Sequence, residues 1–393
     1  MNTIKKLFTD LLTDLFTGSK KAFLSLVILT VHISLFTAQA ATNVWDGDHT
    51  GSNSDLWSAK QNWVGNNGPP TAVDTASFGA LASGNSSTPI ITTASVVSNI
   101  VFGPTGPAYT LGGPSVLTVG GSIVNNSTLL QTINTALSLP NTSTINASSG
   151  SLAFGGIISG AGSLNKIGNG TATLSGANTF SGGVVVNGGT LSINNTTGSA
   201  TGGGNVTVNS GSIIGTGISI GTLTLNSTTR ISPGNASGPQ RISTLRTGNQ
   251  IWQGGSGMTW EINDATGTAG SGWDSIAITG GLTLNAIAGN QFTIDLFSLS
   301  GNSPGNAANF NPVIGYQWTI LTTTTGISGF DTAAFNINTS GFSNSFTGTF
   351  LIELVNGGNG LAITYVPEPS TIALGIIGAA AMVGLSFRRR NKK

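Results

Sequence analysis

The chain has 393 residues, 58 of them Gly and none of them Cys, and only 7% carry charge, so neither a disulfide framework nor a thiolate metal site is available. Its formal net charge of +1 comes from the two ends. Between residues 41 and 366 the basic residues are Lys60, Lys166, Arg230, Arg241 and Arg246 against ten acidic ones, a net of −5 that offers no basic surface to nucleic acid.

Residues 1–40 have the form of an export signal. Lys20-Lys21 precede an apolar stretch over 22–36, and Ala38-Gln39-Ala40 has the small-x-small pattern of a signal-peptidase site, with cleavage expected after Ala40. Ahead of it, Leu7, Leu11, Leu12, Leu15 and Phe16 share one helical face in an N-terminal extension that stands outside the fold.

The body that follows is rich in Gly, Ser, Thr and Asn. Short runs of Val, Ile, Leu and Thr recur between Gly and Asn, the pattern of many short strands joined by tight turns. No stretch has helical periodicity, so the fold class expected is all-β. Residues 41–80 form a Trp-rich entry segment with Trp45, Trp57, Trp63 and Phe78. Two readings stand: a hydrophobic cap, or a platform on which Trp45, Trp57 and Trp63 stack against sugar rings. Asp46, Asp48 and His49 resemble the start of a calcium loop, but no Glu completes it, and no metal or cofactor is expected. His49 has no Gly-x-Ser-x-Gly elbow to serve.

Residues 81–235 are expected to be a repeat array, clearest over 162–194. There Thr171-Ala172-Thr173-Leu174, Val184-Val185-Val186 and Thr190-Leu191-Ser192-Ile193 alternate as strands with one buried face, and Asn169-Gly170 and Asn187-Gly188 mark the turns. With Leu164, Lys166, Gly168, Gly176-Ala177-Asn178-Thr179-Phe180 and Gly182-Gly183, this segment closely resembles the autotransporter-associated β-strand repeat. The resemblance implies coils of a right-handed parallel β-helix, and units over 115–124, 151–158, 204–211 and 221–226 fit the same register. Such coils bury their apolar faces only by stacking. Near Ser232 the texture changes. Residues 236–366 hold further strands that either continue the helix or form a β-sandwich-like end domain, and both remain open. Glu261, Asp264 and Asp274 are the nearest acidic group there, and carboxylates in such a turn-rich region are expected to be solvated.

Residues 367–393 read as a sorting tail. Pro367-Glu368-Pro369 is followed by an uncharged apolar run over 371–387 and then by Arg388-Arg389-Arg390-Asn391-Lys392-Lys393. The run is at the short end of what crosses a bilayer as a helix, and the basic end would stay on the cytoplasmic side. The three parts in this order resemble the PEP-CTERM sorting signal of Gram-negative bacteria. That resemblance implies an exosortase as processing partner, a transient inner-membrane anchor, and a cell-surface or extracellular destination.

The function expected is that of a non-enzymatic structural or adhesin-like protein of the extracellular polysaccharide matrix of a biofilm, with exopolysaccharide as a partner. The alternatives are a carbohydrate-binding module and a polysaccharide-degrading β-helix enzyme. The enzyme is disfavoured because residues 150–230 carry only Lys166 and Arg230 and no carboxylate. An autotransporter would end in its own membrane barrel rather than in an apolar run and basic residues.

Overall fold

The computed structural model describes residues 40–51 and 54–368. Among them every regular element is a β-strand or a short 3-10 turn, and nearly every strand pair is parallel. The apolar run over 371–387 lies outside the described residues, and no helix among them is long and apolar enough to cross a membrane.

The strands stack along three faces, although Val184–Ile193 and Val206–Gly215 each span the first two faces and some coils lack a strand on the third. On the first face, Thr42–Trp45 pairs with Thr75–Phe78, which pairs with Asn99–Phe102, and the ladder continues strand by strand to Leu282–Asn285 and Ile327–Ser328. The second face runs from Thr110–Leu111 to Phe335–Gly341. The third is in two parts, Ser95–Val97 to Ile158–Ser159 and Ile218–Ser219 to Tyr316–Thr323, with no strand pairing between them. This is the architecture of a β-helix-like solenoid. With about 4.8 Å between neighbouring strands, its first ladder extends roughly 50 Å.

The strands bury alternate residues. Leu152, Phe154, Ala172 and Leu174 point inward, and so do their counterparts on neighbouring coils. The interior is mostly aliphatic in the middle, with Phe154 and Phe180 among the aliphatic residues, and most aromatic at both ends. Trp45, Trp57, Trp63, Phe78, Phe102 and Tyr109 fill the first coils. Phe310, Trp318, Phe342, Phe350 and Tyr365 cluster at the last.

The parallel ladder therefore begins at Thr42, inside the segment read as a cap, and passes through residue 235 without a break. What changes near Ser232 is coil length. Asn187 and Asn209, hydrogen-bonded on adjacent coils, are 22 residues apart, whereas Gln253 and Asn285 are 32 apart and Thr283 and Ser328 are 45 apart. The extra residues form turns outside the ladder. The end-domain alternative survives only in the final sheet, where Tyr316–Thr323 pairs antiparallel with Gly360–Val366, and that strand with Thr349–Val355.

Two residues of the 162–194 segment show why its pattern stacks. Asn178 is buried on the third face, where no regular strand forms. Its Oδ1 accepts from Ile158 N at 2.7 Å, and its Nδ2 donates to Ala200 O at 2.5 Å, so one amide joins three successive coils. Lys166 is 1% exposed and points inward from Leu164–Ile167. Its Nζ donates to the carbonyls of Ile167, Gly168 and Gly188 at 2.9–3.0 Å, satisfying acceptors that two adjacent turns aim into the interior.

Burial lowers the Lys166 pKa from 10.5 to about 8. Below pH 8 the ammonium is charged in both states, and folding bears its desolvation. Between about 8 and 10.5 the unfolded chain binds more protons, so stability should rise with pH through that window. The gain is at most about 3 to 4 kcal/mol, since each unit is worth about 1.4 kcal/mol. Comparing denaturant unfolding of wild type and Lys166→Met across this range checks it. The wild type should gain on the variant, and a constant difference would refute the assignment.

Candidate functional site

Charge is scarce on this solenoid, yet five charged side chains gather at one place. Arg230 opens the strand Arg230–Pro233, Glu261 lies in Gly257–Ile262, and Asp295 lies in Phe292–Ser300, three neighbouring strands of the second face. Parallel register sets Thr259 opposite Asp295 and Glu261 opposite Phe297. Gly257 stands opposite Arg230, and a Cβ there would collide with Thr293 O and come within 3.0 Å of the guanidinium, so the glycine lets the backbone of the next strand pack closely.

Arg241 arrives from the long turn after Pro233. Gly234, at φ 84°, reverses the chain, and Asn235 N donates to Gln240 O at 2.9 Å, so the turn folds back over the sheet. Arg241 Nη2 then meets Glu261 Oε1 at 2.6 Å and its Nε donates to the same oxygen at 2.7 Å. Arg230 Nε meets Asp295 Oδ2 at 3.2 Å, and Asn338 Nδ2 donates to Asp295 Oδ1 at 2.8 Å.

Asp274 lies beneath this surface, fully buried. Its Oδ1 accepts from Ser243 N at 3.0 Å and its Oδ2 from Glu261 N at 3.1 Å, so it fastens the Arg241 turn to the Glu261 strand. Burial, reinforced by the nearby Glu261, raises its pKa well above the usual carboxylate range. Burial also raises that of Glu261, against the opposing pull of Arg241. Both carboxyls were expected to be solvated, and the structure corrects this. Asp264 does remain at the surface, with its pKa held down by a hydrogen bond from Asn309.

Above these pairs is a cleft of about 370 Å³, lined by both arginines, Glu261, Ser232, Asn235 and Phe297 among others. Planar charged groups, a hydroxyl, an amide and a half-buried ring suit a ligand with hydroxyls on its edge and an apolar face. Asp274 is enclosed and acts on the cleft only by holding its walls.

The residues proposed from sequence for glycan contact are elsewhere and unsuited. Trp45, Trp57 and Trp63 are 0%, 1% and 0% exposed. Trp45 and Trp57 each pack edge-to-face on Trp63, with centroids 5.3 and 4.9 Å apart. The Trp45 and Trp63 ring nitrogens donate to Ser86 O and Trp57 O. A ring with no free face cannot stack on a sugar, so this cluster is the filling of the first coils. Asp46, Asp48 and His49 lie near it, and no group of three or more His, Cys, Asp or Glu among the described residues could hold a metal ion. Of the processing residues, Ala38 and Pro369 lie outside the described residues. Ala40 is exposed, Pro367 half-buried and Glu368 exposed.

The sorting motif leaves the fold without a linker. Val366 is the last residue of Gly360–Val366 and pairs with Thr349, and Pro367 follows directly. Tyr365 secures this exit: its hydroxyl donates to Pro312 O at 2.9 Å and accepts from Gly348 N at 3.1 Å.

Comparison with known proteins matches a segment in the middle of the solenoid and the tail. The Passenger-associated-transport-repeat family matches residues 164–193. The PEP-CTERM protein-sorting motif matches residues 366–390. No curated protein matches the chain. The chain thus carries a transport-associated repeat within its solenoid and a PEP-CTERM motif at its end, and the motif implies export, a membrane-anchored precursor, processing by an exosortase and sorting to the surface.

Proposed function

We propose that the mature protein is a non-enzymatic structural or adhesin-like spacer in the extracellular polysaccharide matrix. One observation supports this above others: a parallel ladder about 50 Å long is closed by an antiparallel sheet whose last strand runs directly into a sorting motif. In this reading the solenoid is a right-handed parallel β-helix, residues 371–387 form the transmembrane helix of the precursor, and an exosortase separates the two. Catalysis is not part of the reading, because Asp274, the carboxyl with the most strongly raised pKa, is sealed beneath the surface.

A second reading, carbohydrate binding, moves from the Trp cluster to the cleft beside Phe297. Arg241 with Glu261, and Arg230, present planar polar edges there, and the ring supplies an apolar surface. The two readings are compatible, since a matrix spacer gains by holding the polymer around it.

Localisation tests the first reading. Replacing Pro367-Glu368-Pro369 with three alanines should leave an untrimmed protein at the inner membrane, while the wild type reaches the surface matrix with a reduced mass. A wild type that stays untrimmed at the inner membrane would end it. So would polysaccharide turnover by the purified protein that Glu261→Gln abolishes.

The second reading is tested by affinity electrophoresis through gels containing exopolysaccharide. Phe297→Ala should weaken retention at least about ten-fold, a loss of about 1.4 kcal/mol, with an unchanged circular dichroism spectrum. Equal retention of variant and wild type would remove the cleft from consideration.

A further inference from the structure

We propose that, in the membrane-anchored precursor, the corner of the last sheet formed by Val313, Ile314 and Val366 rests in the lipid headgroup layer. The proposal builds on the sorting reading of the tail and adds an orientation of the folded body toward the membrane.

The tether is short. Four residues, 367–370, separate the last strand from the apolar run that begins at Thr371. Fully extended they reach about 14 Å. The headgroup layer itself occupies roughly 5–7 Å of that reach. Nor is the tether free at its start. Pro367 is half-buried, and a Cβ on Gly348 would stand 2.8 Å from Pro367 Cα, so the backbone is packed where the chain leaves the fold. The body cannot drift from a bilayer that holds the apolar run.

The corner nearest the tether is apolar. Val313, Ile314 and Val366 are 73%, 47% and 43% exposed. Tyr365 joins them, since its hydroxyl bonds Pro312 O while its backbone pairs with Tyr316 in the strand just after the Val313 loop. Leu351, 45% exposed, stands opposite Thr364 and so lies on the same sheet face as Val366. Elsewhere the solenoid shows large apolar side chains such as Ile220, far from the tether along the ladder.

Charge does not drive the contact, and the exposed Glu368 sits on the tether beside it. Residues 300–368 contain no Lys or Arg, so attraction to anionic lipid is not its source. Glu353 is occupied by Thr364 Oγ1 at 2.6 Å and Gln317 Nε2 at 3.2 Å. Burial of a few apolar side chains suffices because the anchor has already brought the surfaces together, and the second contact is intramolecular. The occupant is therefore lipid, reached through the tether.

The absence of native cysteine makes the test direct. Val313→Cys and Ile220→Cys each place a single thiol at an exposed position for an environment-sensitive fluorophore. The full chain is reconstituted into phosphatidylethanolamine–phosphatidylglycerol vesicles, with and without lipid carrying a headgroup nitroxide. At position 313 the emission should shift to the blue, and the nitroxide should quench it at least about two-fold more than at position 220. Equal, solvent-like emission at both positions on vesicle-bound protein would overturn the proposal. A shifted but unquenched label at 313 would overturn it too, since protein rather than lipid would then cover the corner. Flotation separates the two levels of the argument: a chain that does not float with vesicles refutes the anchor, and the orientation with it.

Discussion

Every part of this molecule answers to one constraint: each coil must present backbone donors and acceptors in register with the coils above and below. A parallel ladder on three faces satisfies most of them. Where a face lacks a regular strand, a side chain takes over. The Asn178 amide accepts from one coil and donates to another. The Asn195 amide accepts from Ile218 N at 2.7 Å in the same way. Outside, Asn165, Asn187, Asn209 and Asn226 form a row of amide-to-amide hydrogen bonds of 2.7–2.9 Å along successive coils. The abundance of Asn, Ser and Thr is thus a requirement of stacking. Buried polar groups are costly unless paired, and these small polar side chains reach a neighbour without needing space.

A ladder that must be satisfied coil by coil has a problem at its ends, where an open strand edge invites pairing with another chain. Both ends answer it by reversing direction. At the start, Trp45 forms an antiparallel bridge with Trp63, and Asp46 N donates to Asn62 O at 3.0 Å, folding the entry segment back on the first strand. At the finish, Gly360–Val366 runs antiparallel to the strand beginning at Tyr316. Aromatic side chains accompany both reversals because the open end of an aliphatic core needs large residues to close it. Trp57 and Trp63 are therefore as buried as any leucine in the middle coils.

The segment 164–193 was legible from sequence because its coils are short and of nearly constant length. Apolar alternation then repeats on a fixed period, and Asn-Gly pairs mark the turns. Beyond Ser232 the same ladder persists but the spacing grows to 32 and then 45 residues, so no period survives to be read. The charged cleft was hidden for the same reason. Arg241 and Glu261 are 20 residues apart, and Arg230 and Asp295 are 65 apart. Their meeting depends on coil lengths that composition does not encode. For Trp45, Trp57 and Trp63 the obstacle was different. Tryptophan is at home both on a sugar-binding surface and in a core, and only the coil geometry decides which way each ring faces.

The exit of the chain connects this architecture to its destination. A sorting motif on a long flexible linker would let the body tumble freely near the membrane. Here the motif follows directly from a strand paired with Thr349, beneath a tyrosine hydroxyl bonded to Pro312 and Gly348. Strand pairing therefore extends to the residue before the motif, through the antiparallel strands of the last sheet. A cut near the motif would release a body whose last strand is already paired, with its aromatic end already closed. Separation from the membrane then requires no refolding, because among the described residues the hydrogen bonds that stabilise the last coil lie on the body's side of the motif.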